Sequence, residues 1–90
     1  MARTKFLFGN WKMNHLISET KKFASEVGAA VTLAKEKNIE IGVAPSFLSL
    51  QTMAEANTGL IIASQDVHFS PSGAFTGFVS IPMIKELGIN

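Results

Sequence analysis

Cysteine is absent from the 90-residue sequence, and this absence excludes three kinds of chemistry. Without a thiol, the chain has no disulfide framework, no thiolate metal site and no cysteine nucleophile. Long apolar runs are also absent, since no stretch approaches the roughly 18 residues of a membrane-spanning helix. The first residues lead into a predicted strand and not into a signal peptide. We therefore expect a protein of the reducing cytoplasm with no membrane partner.

A strong excess of charge of one sign is missing as well, because the formal net charge is +1. Residues 1–37 carry seven of the eight Lys and Arg, and residues 38–90 carry four of the seven acids. Most of these lysines recur at helical spacing, with no aromatic platform interleaved, which is typical of a solvated helix face. The pattern predicts no nucleic-acid partner. The two histidines, His15 and His68, define no ligand spacing and predict no metal site.

Apolar residues, in contrast, are abundant for so short a chain. They make up 47% of the sequence, seven of them are Phe, and the mean hydropathy is +0.25. A chain of this length buries only about 60–65% of the surface that its unfolded state exposes. The composition therefore indicates a core larger than the chain can enclose by itself.

Three short runs of apolar, β-favouring residues are each followed by an apolar stripe at helical spacing. The predicted strands are residues 5–8, 39–44 and 60–63. The predicted helices begin at the N-caps Ser18, Ser46 and Ser80 and end near Lys37, Asn57 and Gly88. Gly28, inside the first helix, marks either close packing or an early helix end. This alternation predicts an α/β fold, with a parallel sheet and right-handed crossovers.

A three-stranded parallel sheet with helices on one face leaves its other face apolar and exposed, and each outer strand with unpaired backbone groups along its outer edge. A (β/α)8 barrel of about 250 residues contains eight such strand–helix units. We therefore interpret residues 1–90 as one segment of three βα units, equivalent to three-eighths of a barrel. The expected partner is a second copy of the chain or a complementary barrel fragment, which would supply the missing strands of the barrel.

Polar side chains follow the first and third predicted strands. Asn10 and Lys12 are two residues apart, so on an extended backbone they would project together while Trp11 packs on the other side. Gln65 and Asp66 come to the same edge of the sheet, where ligands bind in parallel α/β proteins. An ammonium beside a carboxamide suits an anionic, oxygen-rich molecule such as a sugar phosphate. The alternative is a solvated lysine at the end of an ordinary strand.

The connection at residues 67–79 is the longest in the chain and contains three phenylalanines, Phe69, Phe75 and Phe78. Connections between a strand and a helix usually have about 2–6 residues, and longer ones are usually functional. A solvent-exposed loop does not normally carry so much apolar surface. We therefore expect the loop to form an interface, most simply with a second chain.

Four short stretches occur in the order and spacing of one enzyme family. They are Gly-Asn-Trp-Lys-Met-Asn at residues 9–14, Ala-Pro-Ser at 44–46, Gln-Asp-Val at 65–67 and Gly-Ala-Phe-Thr-Gly at 73–77, the last followed by Val79 and Ser80. Together they resemble the triosephosphate isomerases and cover nearly the whole chain. The resemblance implies a cytoplasmic enzyme of glycolysis and gluconeogenesis. It implies a homodimer of (β/α)8 barrels that interconverts dihydroxyacetone phosphate and glyceraldehyde 3-phosphate without metal or cofactor.

The resemblance also implies roles for particular residues. Lys12 matches a lysine that binds the substrate and offsets its negative charge in the transition state, and Asn10 matches an asparagine that shapes the same pocket. Thr76 matches a threonine that reaches the active site of the partner subunit. Phe78 departs from the family, which has a glutamate there that makes polar contacts across the dimer interface. Gln65 is interpreted as a structural hydrogen-bonding residue and not as a catalytic one.

The glutamate base and neutral histidine electrophile of this reaction have no match in the sequence. Neither His15 nor His68 stands in the motif of that histidine. We therefore expect a triosephosphate isomerase fragment that is inactive alone. The alternative interpretation is an engineered or excised (βα)3 module, without catalytic function, that serves folding or assembly.

Overall fold

The computed structural model describes residues 3–90, in which three strands alternate with four helices. In chain order the elements are β1 (Lys5–Asn10), α1 (Ile17–Glu26), α2 (Gly28–Glu36), β2 (Ile39–Ala44), α3 (Phe47–Glu55), β3 (Ile61–Ile62) and α4 (Ile81–Glu86). The strands form one parallel sheet in the order β1-β2-β3. The predicted α/β architecture of three βα units is therefore confirmed. None of the helices in this part of the chain has the length and apolar character needed to cross a membrane.

The sheet is well formed between β1 and β2 and short at β3. Lys5 pairs with Ile39, and the register continues without a break to Asn10 and Ala44. β3 contributes two paired residues, and one further bond runs from the Ala63 N–H to the Val43 carbonyl at 3.0 Å. The predicted strand at residues 60–63 is too long, because only Ile61 and Ile62 pair with β2. An apolar run has the same pattern whether or not a neighbouring strand pairs with all of it.

The first helical region differs from the prediction at its start and in its middle. It begins at Ile17 with Leu16 as N-cap, so the prediction of Ser18 as N-cap is wrong. The Glu19 carboxylate accepts the Leu16 N–H at 3.0 Å, which satisfies a donor at the start of the helix. The helix breaks at Val27, and space around Gly28 is open. The second option for Gly28, an early helix end, is therefore correct, because glycine is a weak helix former.

The later helices begin at the predicted N-caps. Ser80 accepts the Met83 N–H on its side-chain oxygen at 3.4 Å, whereas Ser46 occupies the N-cap of α3 with no side-chain capping bond among the described residues. Gly88 follows α4 with a φ of +87°, which ends the helix as predicted. Met83, on the first turn of this helix, is 57% exposed.

The buried core lies on the helix side of the sheet. Its centre is formed by Leu50, Ile84 and Ile89, and Phe47, Ala54, Ile62, Val79 and Leu87 pack around it. A second buried group, at the α1–α2 end, contains Val27, Val31 and Ala34. Thr20 of α1 and Ser49 of α3 are joined by a buried hydrogen bond of 2.9 Å between their hydroxyl oxygens. These contacts join α1 to α3 and pack α3 and α4 together with β3. Because the three strands are parallel and adjacent in chain order, right-handed crossovers place the connecting helices on one face of the sheet.

The opposite face of the sheet is apolar and exposed. Phe6 and Phe8 are 64% and 47% exposed, and their rings stack with centroids 6.1 Å apart. Gly42 lies in register between Phe8 and Ile61. A Cβ at Gly42 would stand 2.5 Å from both the Ile61 carbonyl oxygen and the Phe8 ring, so the neighbouring strands approach this glycine closely. The two expectations for the sheet, helices on one side and an apolar surface on the other, both hold.

Candidate functional site

The turn after β1 leaves the extended conformation as soon as the strand ends. Lys12 has a φ of +55° and His15 a φ of +73°, both in the left-handed region. The Asn10 side-chain oxygen accepts the Lys12 N–H at 2.9 Å, a local bond that favours a turn over a continuing strand. The expectation that Asn10 and Lys12 project together from one extended strand is therefore wrong, because the backbone is not extended at Lys12. Both residues nevertheless lie at the carboxyl edge of the sheet.

Gln65 ties this turn to the rest of the edge. Its Nε2 donates to the Lys12 carbonyl at 2.9 Å and to the Ala44 carbonyl at 2.8 Å. The Ala44 carbonyl also accepts the Trp11 N–H at 3.1 Å. One amide group thus links the turn after β1, the last residue of β2 and the segment after β3.

Trp11 anchors the turn to the first helix. Its ring makes edge contacts with His15 and Phe23, at centroid distances of 4.6 and 5.1 Å. The Asn14 side-chain amide donates to the Trp11 carbonyl at 2.7 Å. Trp11 packs as predicted, but the hydrogen bond from Asn14 to the Trp11 carbonyl was not predicted. The available signal was the residue type, because asparagine side chains commonly bond to the backbone of a turn.

A groove of about 890 Å³ runs beside this turn. Asn10, Trp11 and His15 line it from the turn, Glu19 from α1, and Ser46 and Leu48 from the start of α3. Lys12 is exposed and brings a positive charge to the same turn. Asn10 and His15 supply hydrogen-bonding groups to this groove, whereas Lys12, which does not line it, carries the positive charge at the same edge of the sheet.

The long loop forms a second cluster, centred on His68. The base of the loop is closed by a 2.8 Å bond from the His68 N–H to the Val79 carbonyl. The His68 ring lies 4.5 Å from the ring of Phe69, 4.0 Å from that of Phe75 and 5.2 Å from that of Phe78. Sequence reasoning treated His68 as an ordinary loop residue and missed this cluster. Aromatic residues on both sides of one loop were the signal that could have indicated it.

The loop presents much of this aromatic surface outward. Phe69 is 87% exposed and Phe78 is 56% exposed, while Phe75 and Thr76 are also exposed. The contacts therefore bring Asn10, Lys12 and Gln65 into one network, and place Phe75 and Phe78 of the predicted interface in the cluster around His68. The interface itself remains a prediction.

Asp66 has a local role next to Gln65. Its carboxylate accepts the N–H of Val67 at 2.9 Å, and its carbonyl pairs with the Ser64 hydroxyl, as expected for a residue that turns the chain. Within residues 3–90, no group of three or more His, Asp or Glu side chains is placed to hold a metal ion.

Comparison with known proteins identifies the family. The sequence model of the triosephosphate isomerase family matches residues 5–90. The chain is 42% identical over 90 residues to the triosephosphate isomerase of Clostridium acetobutylicum, covering 98% of this chain and 35% of that protein. It is 38% identical over 94 residues to that of Chlamydia felis, covering 100% and 37%. With the enzyme of Mycoplasma mobile, identity is 40% over 91 residues, covering 97% and 38%.

The chain thus spans little more than a third of the length of the curated relatives that it matches. The match nevertheless includes all three strands and all four helices described above. It also agrees with the open parallel sheet, which has the architecture of part of a β/α barrel. On this evidence the chain belongs to the triosephosphate isomerase family.

Proposed function

We propose that this chain supplies the substrate-binding edge of a triosephosphate isomerase. The turn at residues 10–12 carries the proposal, because Lys12 is held by side-chain bonds at the carboxyl edge of a parallel sheet. These bonds hold the backbone of Lys12, and the ammonium that it carries attracts the triose phosphate dianion and offsets the charge that develops on the enediolate-like transition state. Asn10 lines the adjoining groove and presents its carboxamide to the same ligand.

The activity belongs to a complete barrel, of which residues 1–90 form a single segment of three units. Isomerisation moves a proton between two adjacent carbons, and a positioned base contributes about 10²–10⁴-fold to such a step. The sequence offers no match for the family's glutamate base or histidine electrophile. The chain alone is therefore inactive, and its partners are the rest of the barrel and the triose phosphate. A cytoplasmic homodimer is part of the proposal, supported by the family and by the exposed phenylalanines of the loop.

Complementation tests this function directly. Residues 1–90 are mixed with the remaining portion of the Clostridium acetobutylicum relative, and isomerase activity is measured for each part and for the mixture. We expect activity in the mixture and none above background in the chain alone. Lys12→Met should lower kcat/KM about 10²–10³-fold, as does removal of one preorganised electrostatic group in other enzymes.

The matched control is Lys22→Met, which removes an exposed lysine from α1 and should leave kcat/KM unchanged. Equal activity of the Lys12→Met and Lys22→Met mixtures would contradict the proposed role of Lys12. Turnover by the 90 residues alone would contradict the proposal that activity requires the remaining portion of the barrel.

A second candidate function is that of a non-catalytic assembly module. The exposed aromatic face of the sheet favours it, because such a face drives association whether or not chemistry follows. Stable association of the chain together with an inactive mixture would support this candidate over the first.

A further inference from the structure

The backbone of Lys12 is held on both sides by side-chain amides. Its N–H donates to the Asn10 side-chain oxygen at 2.9 Å, and its carbonyl accepts from Gln65 Nε2, also at 2.9 Å. The φ of +55° places Lys12 in a region that residues with a Cβ seldom occupy. Such a conformation persists where the surroundings impose it, and here two hydrogen bonds do so.

Of the two side chains, Gln65 restrains the turn more strongly than Asn10, because it links the turn to the sheet. The pairing of β1 with β2 ends at Asn10 and Ala44, so the turn beyond it lacks sheet bonds of its own. Gln65 donates both to the Lys12 carbonyl and to the Ala44 carbonyl, which engages both N–H bonds of its amide. The bond from Asn10, by contrast, is local to the turn itself.

We propose that Gln65 is a positioning residue that fixes the backbone of Lys12 and thereby the place of its ammonium group. This role deepens the proposed function of the site and rests on it. A lysine side chain has four rotatable methylenes, so the position of its Cα sets the region that the ammonium can reach. In an active site, a displacement of about 1 Å can lower the rate about 10²-fold.

Trp11 provides a probe of this restraint in the 90-residue chain. It is the single tryptophan in the sequence. Its backbone N–H and the Gln65 side-chain amide both donate to the Ala44 carbonyl. Gln65→Met keeps the length of the side chain but removes both donors. We expect the constant for acrylamide quenching of Trp11 fluorescence to rise at least twofold, with an unchanged far-ultraviolet circular dichroism spectrum.

The matched control is Gln51→Met, because the Gln51 amide donates to Glu55 on the exposed side of α3. Quenching should be unchanged in that variant. If Gln65→Met unfolds the chain, the shorter Gln65→Asn gives the same measurement in a milder form. Quenching of Trp11 in the Gln65 variants equal to that in Gln51→Met would overturn the proposal.

A double-mutant cycle in the complemented barrel separates positioning from general stabilisation. Gln65→Met should lower kcat/KM about tenfold when Lys12 is present and should have no further effect in the Lys12→Met background. Equal losses in both backgrounds would overturn the positioning role. If Lys12→Met itself leaves the activity unchanged, the proposed function fails, while the Trp11 measurement still decides whether Gln65 restrains the turn.

Discussion

At Gly42 the space for a side chain is taken by two neighbours. A Cβ there would stand 2.5 Å from the Ile61 carbonyl oxygen and 2.5 Å from the Phe8 ring. The carbonyl belongs to the backbone of β3 and cannot move without disturbing the pairing of β2 and β3. Gly28, at the start of α2, has no atom within 4 Å of the corresponding position.

Replacing each of these glycines by alanine should therefore change stability in opposite directions. Gly42→Ala should lower the free energy of unfolding by about 1–3 kcal/mol, because the strand pair must separate to admit a methyl group. Gly28→Ala should raise it by about 0.4–1 kcal/mol, because alanine restricts the unfolded chain at a position where the helix accepts it. Urea denaturation followed by circular dichroism measures both. A neutral Gly42→Ala would show that the strands do not approach as described.

Single residues also show which features of the structure could be predicted from the sequence. A glycine inside a strand pattern signals a close approach, and Gly42 confirms it. The left-handed conformation of Lys12 could not be predicted, since nothing in a lysine favours it. One of the two bonds that hold its backbone comes from Gln65, which lies 53 residues further along the chain. Sequence patterns report local preferences, and this bond depends on how three strand ends meet.

Between elements, α1 and α3 are joined by a hydrogen bond that is completely enclosed. Thr20 Oγ1 donates to the Leu16 carbonyl at 3.0 Å, which leaves the Ser49 hydroxyl to donate to Thr20. Both residues are almost completely buried. Thr20 is thus the acceptor on which Ser49 depends, whereas Thr20 retains its own bond without Ser49.

This asymmetry predicts unequal costs for the two truncations. Thr20→Val leaves the buried Ser49 donor without its acceptor and should cost about 1–3 kcal/mol of stability. Ser49→Ala removes a donor and leaves Thr20 bonded, so it should cost about 1 kcal/mol. The double variant should be more stable than the sum of the single losses implies, which a double-mutant cycle by urea denaturation detects.

The control for that cycle is Thr32→Val on α2. Thr32 makes the same kind of bond, to the Gly28 carbonyl at 3.1 Å, but at an exposed position. Its replacement should change stability by no more than about 0.5 kcal/mol. Strict additivity of the Thr20 and Ser49 effects would show that their contact carries no coupling.

Elements whose ends are marked by turn-forming residues or proline were predicted best. β2 has the predicted bounds, because Asn38 precedes it with a φ of +54° and Pro45 follows it. The break between α1 and α2 was left open, since the apolar stripe continues through Val27 regardless of the backbone. β3 was predicted too long, because only two of its residues find partners on β2.

In the molecule as a whole, two of the exposed apolar surfaces among residues 3–90 bear on association. One is the face of the sheet that carries Phe6 and Phe8, and the other is the loop cluster around His68. The composition predicted more apolar surface than the chain encloses, and the sheet face confirms it. The cluster around His68 was not predicted, because its members meet only when the loop closes between His68 and Ser80.

The exposed sheet face should drive association of the purified chain, and sedimentation velocity over a range of concentrations should show it. Phe6→Lys places a charge on this face and should raise the dissociation constant at least about tenfold, the equivalent of losing one buried phenylalanine. Leu33→Lys is the control, since Leu33 is comparably exposed on α2, away from the sheet face. A compact monomer at every concentration would contradict the expectation.

The loop is tested in the same experiment by Phe78→Glu, which introduces the residue that the family resemblance implies at this position. If the chains associate through the apolar surface of the loop cluster, and not through the polar contacts that the resemblance implies for a glutamate here, the variant should associate more weakly than the unchanged chain, because a carboxylate replaces a half-exposed ring. The cluster should then bind through Phe69, Phe75 and Phe78 together. Association unchanged in Phe78→Glu but lost in Phe6→Lys would assign the contact to the sheet alone. The aromatic contacts of His68 would then serve only to order the loop within its own chain.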